Sequence, residues 1–239
     1  MSILIWAVAL AVTAAAATVQ GMVGVGFGMA AVPILSLLHP DLAPVPQLLI
    51  ALPLTVAMAM REWRAAELRG AGWIIVGRLP GALLGVFLLG IATERMLDTI
   101  IGLIVLGAVV VVGTGYHIAR TTAAKLAGGT ISGITGVVAS IGGPPVALLY
   151  ARDESDTIRA TLAVVFFFGS VTSVFFRWVS GNITMTDVRV AAVLLPAALA
   201  GLWLSSGIND RVPEATVRRG ILIVSGVAAT VLIVRAAVG

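Results

Sequence analysis

Long apolar stretches separated by short polar segments dominate the chain. They cover residues 3–38, 43–60, 72–91, 97–118, 124–150, 157–177, 187–206 and 219–236. Because they are too long for strands and do not alternate between apolar and polar residues, they predict helices. A helix also satisfies its backbone hydrogen bonds internally, as a segment in a bilayer must. The pattern therefore predicts an all-α polytopic membrane protein, with the lipid bilayer as one partner.

The composition agrees with lipid as the solvent. Of 239 residues, 59% are hydrophobic and 11% are charged, whereas soluble domains are about 25% charged. Cysteine is absent, which excludes disulfides and thiol chemistry, and we expect no cofactor. The net charge of +4 fits basic cytoplasmic loops, so we expect no nucleic-acid partner. The first basic residue is Arg61, so the first apolar segment predicts a retained helix rather than a cleaved leader.

Glycine and proline interrupt two of the apolar stretches. Residues 3–38, too long for one span, contain Gly21, Gly24, Gly26, Gly28 and then Pro33. Residues 124–150 contain Gly133, Gly136, Gly142, Gly143, Pro144 and Pro145. Glycine and proline at this density break helices. Each stretch is therefore predicted to be a helical hairpin broken by glycine and proline.

The two interrupted stretches correspond to each other. A shift of 112 positions places Gly21 on Gly133 and Pro33 on Pro145. A shift of 116 positions aligns residues 79–88 with 195–204 at six identities in ten, and it places Arg61 on Arg177. We therefore predict two homologous transmembrane repeats, residues 1–120 and 121–239, each with a broken hairpin and three further transmembrane helices.

The distribution of basic residues bears on the orientation of the repeats. If every apolar stretch crosses the membrane once, seven basic residues lie on one side and six on the other. If both broken hairpins return to the side that they enter from, the tally becomes ten against three. Since basic loops are cytoplasmic, the second layout is favoured. It makes the repeats inverted and places both termini outside.

The broken segments are the best candidates for a binding site. A helix that restarts within the membrane exposes backbone N–H groups and the positive end of its dipole, which attract an anion. Neutral hydrogen-bond donors stand nearby. The candidate residues in the two segments are Gln20, Gly24, Gly26, Gly28, Thr135, Gly136, Ser140, Gly142, Gly143 and Pro144. The alternative is that the glycines only allow close helix packing, which is our interpretation of Gly81 and Gly85.

Two arginines are further candidates, and a third arginine lies within an apolar stretch. Arg61 and Arg177 each end the second full span of their half, where they act as a cationic gate or simply extend to the interface. Arg78 lies seven residues into its apolar stretch, and the matching position in the second half is Leu194. Any role of Arg78 is therefore asymmetric.

The motifs resemble a known family. The spacing from Gly21 to Gly28 with Pro33, and from Gly133 to Gly136 with Gly142 to Pro145, is similar to that of the TauE/SafE sulfite exporters. Arg159 with its following phenylalanine-rich helix is similar too. The resemblance implies a secondary transporter that exports a small sulfur-containing anion, such as sulfite, sulfoacetate or another organosulfonate, across the bacterial inner membrane.

These observations combine into one prediction and its alternatives. We expect a multi-pass inner-membrane exporter that binds a small anion between the two breaks, with Arg61 and Arg177 assisting at the mouths. An anion channel and a membrane scaffold without transport activity remain open, as does a homodimer. An enzyme is not expected, since the only histidines, His39 and His117, lie at the ends of apolar stretches and no nucleophile with a base is evident.

Overall fold

The regular structure is helical throughout the described part of the chain. The computed structural model describes residues 1–115, 118–150, 155–208 and 213–238. The α-helices are α1 (Ile3–Val23), α2 (Phe27–Leu38), α3 (Val45–Glu62), α4 (Leu68–Ile91), α5 (Glu94–Thr114), α6 (Thr122–Ala139), α7 (Gly143–Tyr150), α8 (Ser155–Val179), α9 (Met185–Ile208) and α10 (Glu214–Val238). Short 3-10 turns, Pro40–Leu42 and Trp63–Ala65, flank α3. The all-α prediction is confirmed.

Seven of the described helical segments are long and apolar enough to cross a membrane. They are α1, α3 with its preceding turn, α4, α5, α8, α9 and α10. Of the other three α-helices, α6 has 18 residues. Helix α2 has 12 residues and α7 has eight, and both are shorter than the roughly 20 residues that a full crossing needs. The chain therefore has the build of a multi-pass membrane protein with two partial helices.

Both partial helices begin at the breaks that the sequence predicts. The first break follows the C-cap Gly24 (φ 82°) and includes Gly26 (φ 135°) before α2 begins. Glycine adopts such positive φ values without the steric cost that other residues meet. The second break follows Ser140, which also has a left-handed backbone (φ 58°), and α7 begins at Gly143. The predicted positions of both breaks are confirmed.

The helices pack in pairs that link the two halves. Helix α4 lies along α6, α9 along α1, α3 against α8, and α5 against α10. Small residues allow the closest approach: a Cβ atom on Gly81 would overlap the carbonyl oxygen of Thr130 in α6, and one on Gly85 would lie 2.9 Å from Val137. The packing role predicted for Gly81 and Gly85 is confirmed.

Two similar hydrogen bonds strengthen these pairs. Thr18 Oγ1 in α1 donates to the carbonyl of Gly201 in α9 at 2.9 Å. Thr130 Oγ1 in α6 donates to the carbonyl of Gly77 in α4 at 3.0 Å. Thr18 and Thr130 match under the 112-residue shift, and each donates a hydrogen bond to a backbone carbonyl of the helix that it packs against. The division into residues 1–120 and 121–239 and its inverted orientation stay predictions.

Candidate functional site

A cavity of about 60 Å³ lies where the two breaks meet. The beginnings of α2 and α7 form part of its wall, through Phe27 and Gly143. Helices α3, α4 and α8 complete the wall, and the polar side chains that they contribute are Thr55, Arg78, Ser170 and Ser173. Two interrupted helices thus share one buried space.

Most of the candidate residues in the broken segments line this cavity. They are Gln20, Gly26, Gly28, Gly136, Ser140, Gly142, Gly143 and Pro144. The remaining candidates, Gly24, Thr135, Arg61 and Arg177, are not among its lining residues. Thr135 instead lines an apolar crevice of about 240 Å³ beside α5, and its hydroxyl donates to the carbonyl of Ile131.

Gln20 holds the first break in shape. Its side-chain oxygen accepts a hydrogen bond from the Phe27 N–H at 3.0 Å, and its Nε2 donates to the Gly24 carbonyl at 3.1 Å. The end of α1 is therefore tied to the beginning of α2 by one side chain. At the second break, the Ser140 hydroxyl donates to the Pro44 carbonyl at 2.8 Å, so that hydroxyl is also used in structure.

Arg61 and Arg177 make hydrogen bonds to the ends of helices. Arg177 is 4% exposed, and its Nε and Nη2 donate to the carbonyls of Val137 and Val138. Arg61 is exposed and donates to the Gly21 carbonyl at 3.2 Å. Both arginines thus bind the last turn of α6 or α1, and their participation in substrate binding stays a prediction.

Arg78 is the charged group of the cavity. Its side chain is 4% exposed, and Nη1 donates to Ser132 Oγ at 2.5 Å. The Nε atom is buried without a hydrogen-bond partner, and Arg78 takes part in none of the ion pairs found among the described residues. A buried charge without a counter-charge is costly, which makes Arg78 a candidate for binding an anion.

Two serines extend the polar network around Arg78. Ser132 Oγ donates in turn to the carbonyl of Gly142 in the second break. Ser173 is 1% exposed, and its hydroxyl has no hydrogen-bond partner although it faces the same cavity. The cavity therefore holds at least two unused hydrogen-bonding groups, Arg78 Nε and Ser173 Oγ.

Glycines make room for the guanidinium group. A Cβ atom on Gly136 would lie 2.8 Å from Arg78 Nη2, and one on Gly142 would lie 2.9 Å from Nη1. A Cβ atom on Gly169 in α8 would overlap the guanidinium carbon. The space around the charge thus depends on residues from α6, the second break and α8.

The binding site predicted from the sequence includes neither Arg78 nor Ser173. A charged residue in the middle of an apolar helix is a functional candidate by default, and this signal was available for Arg78. Its counterpart, Leu194, lies in the apolar core. Ser173 carries no comparable signal, since single serines are common in membrane helices.

The histidines lie away from this cavity or outside the described residues. His39 Nδ1 accepts a hydrogen bond from the Asp41 N–H in the turn before α3, and His117 lies outside the described residues. Within the described ranges, no group of three acidic, histidine or cysteine side chains is placed to hold a metal ion.

Membrane-length helices around two broken helices and a cavity that contains a buried arginine are the build of a polytopic transporter. Comparison with family models agrees with this class: residues 9–232 match the model described as sulfite exporter TauE/SafE. The chain belongs to the TauE/SafE family of sulfite exporters, a family of membrane transporters. No curated protein and no solved structure matches the chain.

Proposed function

We propose that the protein is a secondary transporter that exports a small sulfur-containing oxyanion across the bacterial inner membrane. Sulfite, sulfoacetate and other organosulfonates are the candidate substrates. The cavity between the two breaks is the binding site, and the protein transports its substrate without catalysing a reaction.

The observation that carries the proposal is the buried, unpaired charge of Arg78. Among the described residues, its guanidinium lies within a cavity, has one serine as a hydrogen-bond partner and has no carboxylate in an ion pair. An oxyanion would supply the missing counter-charge, and a hydrogen bond between two charged groups is about twice as strong as a neutral one. Cation substrates are disfavoured by the same charge.

The two partial helices support the same ligand. The N-terminal ends of α2 and α7 lie at the cavity wall, where the positive ends of the helix dipoles favour negative charge. The unpartnered Ser173 hydroxyl adds a neutral donor. In many secondary transporters, the N-terminal ends of discontinuous helices near the bilayer midplane bind the anionic groups of the substrate.

The size of the cavity favours a compact ion. At roughly 10–15 Å³ for each water-sized group, about four to six such groups fit into about 60 Å³. Sulfite, with one sulfur and three oxygens, matches this volume. Sulfoacetate is larger and requires the cavity to widen, which makes sulfite the first substrate to test.

Inverted repeats provide a physical route for export. In the proposed layout the second half is inverted relative to the first, and movement of one half against the other exposes the cavity to each side in turn. The inside-negative membrane potential favours anion exit by about 2.3 kcal/mol per charge per 100 mV. Export of an anion therefore has a driving force without a proton relay.

The proposal is tested by flux measurements in proteoliposomes containing the purified full chain. Sulfite and sulfoacetate are supplied with and without an imposed membrane potential. We expect saturable, potential-sensitive flux, and a loss of about a hundredfold in Arg78→Gln, because a buried charged hydrogen bond is worth about 1.5–3 kcal/mol. Arg69→Gln is the matched control, since Arg69 is an exposed arginine on the same helix.

The other outcomes are equally informative. Flux that never saturates would indicate an anion channel. Absence of flux of both anions, with folded protein in the membrane, would overturn the transport proposal and leave the scaffold. Equal flux in Arg78→Gln and the wild type would remove the cavity as the binding site.

A further inference from the structure

Arg61 and Arg177 occupy equivalent places in the two halves. They are 116 residues apart and lie in the last turns of α3 and α8. Arg177 donates to the carbonyls of Val137 and Val138 at 2.6 and 3.0 Å. Arg61 donates to the carbonyl of Gly21 at 3.2 Å. Both arginines therefore bind backbone oxygens near the end of the helix that precedes a break, and Arg61 also donates to Ser205 Oγ in α9 at 3.5 Å.

These oxygens belong to the negative ends of α1 and α6. The last four carbonyl groups of a helix have no partner within the helix and carry the negative half-charge of its dipole. At the end of α6, the carbonyls of Thr135 and Gly136 accept hydrogen bonds from the Ser140 N–H. The carbonyls of Val137 and Val138 are the ones that Arg177 binds.

A negative helix end at this place works against an anion in the cavity. Each break brings the C-terminus of one helix next to the N-terminus of the following helix, so their half-charges oppose each other. A guanidinium on the C-terminal carbonyls offsets the negative end. The positive N-terminus of α7 or α2 then dominates the potential in the cavity.

We propose that Arg177, and more weakly Arg61, are positioning residues that strengthen anion binding by neutralising the negative ends of α6 and α1 without touching the anion. This inference rests on the proposed function. Arg177 has the larger effect because its side chain is buried, whereas Arg61 is exposed and water and salt screen its charge.

The test exploits the charge of the ligand. The energy of a dianion in an electrostatic field is twice that of a monoanion. The factor by which the affinity for the dianion falls is therefore the square of the factor for the monoanion. A merely structural loss lowers the two affinities by similar factors. The probes are sulfite at alkaline pH, where it carries two charges, and methanesulfonate, which carries one and has a similar shape.

Binding of both probes to the purified full chain in detergent is measured by calorimetry. In Arg177→Gln we expect the dissociation constant to rise about fivefold for methanesulfonate and about 25-fold for sulfite. In Arg177→Lys, which retains the charge, both constants should stay within about twofold of the wild type. In Arg61→Gln, the dissociation constant should also rise more for sulfite than for methanesulfonate, but by smaller factors than in Arg177→Gln.

The outcomes separate this inference from the function on which it rests. Equal losses for the two probes in Arg177→Gln would overturn the inference alone. If that variant does not fold, a large loss in Arg177→Lys would overturn it just as well. If the wild type binds sulfite but not methanesulfonate, the sulfite affinities of the two variants test the inference. Wild-type affinity in Arg177→Lys with a lower affinity in Arg177→Gln would support it, and an equal loss in both variants would overturn it. Absence of wild-type binding to both probes would overturn the proposed function too.

Discussion

Arg78 and Ser132 connect the charge of the cavity to the second break. Nη1 of Arg78 donates to Ser132 Oγ at 2.5 Å, and Ser132 Oγ donates to the carbonyl of Gly142. The position of the cation on α4 is therefore tied to the point at which the chain leaves α6 and enters α7. A ligand that displaces the guanidinium would therefore also change the hydrogen bond between Ser132 and the break.

Ser132→Ala should weaken sulfite binding about tenfold, since it removes the hydrogen-bond partner of a buried cation and the donor to Gly142. The measurement is the dissociation constant for sulfite in detergent. Ser225→Ala is the matched control, because Ser225 is equally buried in α10 and its hydroxyl has no partner. Unchanged affinity in the Ser132 variant would contradict a role for this link.

Gly169→Ala should disrupt the cavity without introducing a charge or a large side chain. The added methyl group would overlap the guanidinium carbon of Arg78, and we expect sulfite affinity to fall about 5- to 150-fold, which corresponds to overpacking costs of about 1–3 kcal/mol. Gly220→Ala on α10 is the control, since its Cβ atom would meet open space. Equal binding by the two variants would contradict the described position of Arg78.

Gln20→Leu should both destabilise the protein and weaken anion binding. It leaves the Phe27 N–H and the Gly24 carbonyl without the partners described above, at a cost of about 1–3 kcal/mol for each buried group. Thermal unfolding and sulfite binding are measured together. Gln47→Leu is the control, because Gln47 is also buried but donates to the Leu42 carbonyl away from the cavity. If both variants lose affinity alike, the effect is one of general stability.

Two glycines of α4 should respond to alanine in opposite ways. Gly81→Ala forces a methyl group against the backbone of α6 at Thr130, and we expect destabilisation by about 1–3 kcal/mol. Gly90→Ala, whose Cβ atom would meet open space, should be neutral or stabilising by up to about 1 kcal/mol because alanine favours helix. Unfolding in detergent measures both, and destabilisation of equal size would argue against close packing of α4 on α6.

Much of the fold was predictable because its determinants are local. Long apolar stretches require helices, and clusters such as Gly24 to Gly28 and Ser140 to Pro145 interrupt them for reasons of backbone geometry. The equivalence of Arg61 and Arg177 was also visible from the repeat, and both bind the ends of the first helix of their own half.

The content of the cavity was less predictable, because it depends on how helices rotate against one another. Thr135 and Gly136 are neighbours in the sequence, yet Gly136 lines the cavity and Thr135 lines the apolar crevice. Arg78 enters the cavity only because α4 lies along α6 and Gly169 of α8 leaves space for it. No pattern within α4 alone gives that information.

The presence of leucine at the position equivalent to Arg78 has a consequence for the two end states of the transport cycle. Of the two predicted halves, the first contributes Arg78 to the cavity lining, and the counterpart in the second half, Leu194, is part of the apolar core. In the proposed mechanism, the two end states of the transport cycle are therefore electrically unequal. A carrier built in this way binds its anion with a different affinity when it faces one side of the membrane than when it faces the other.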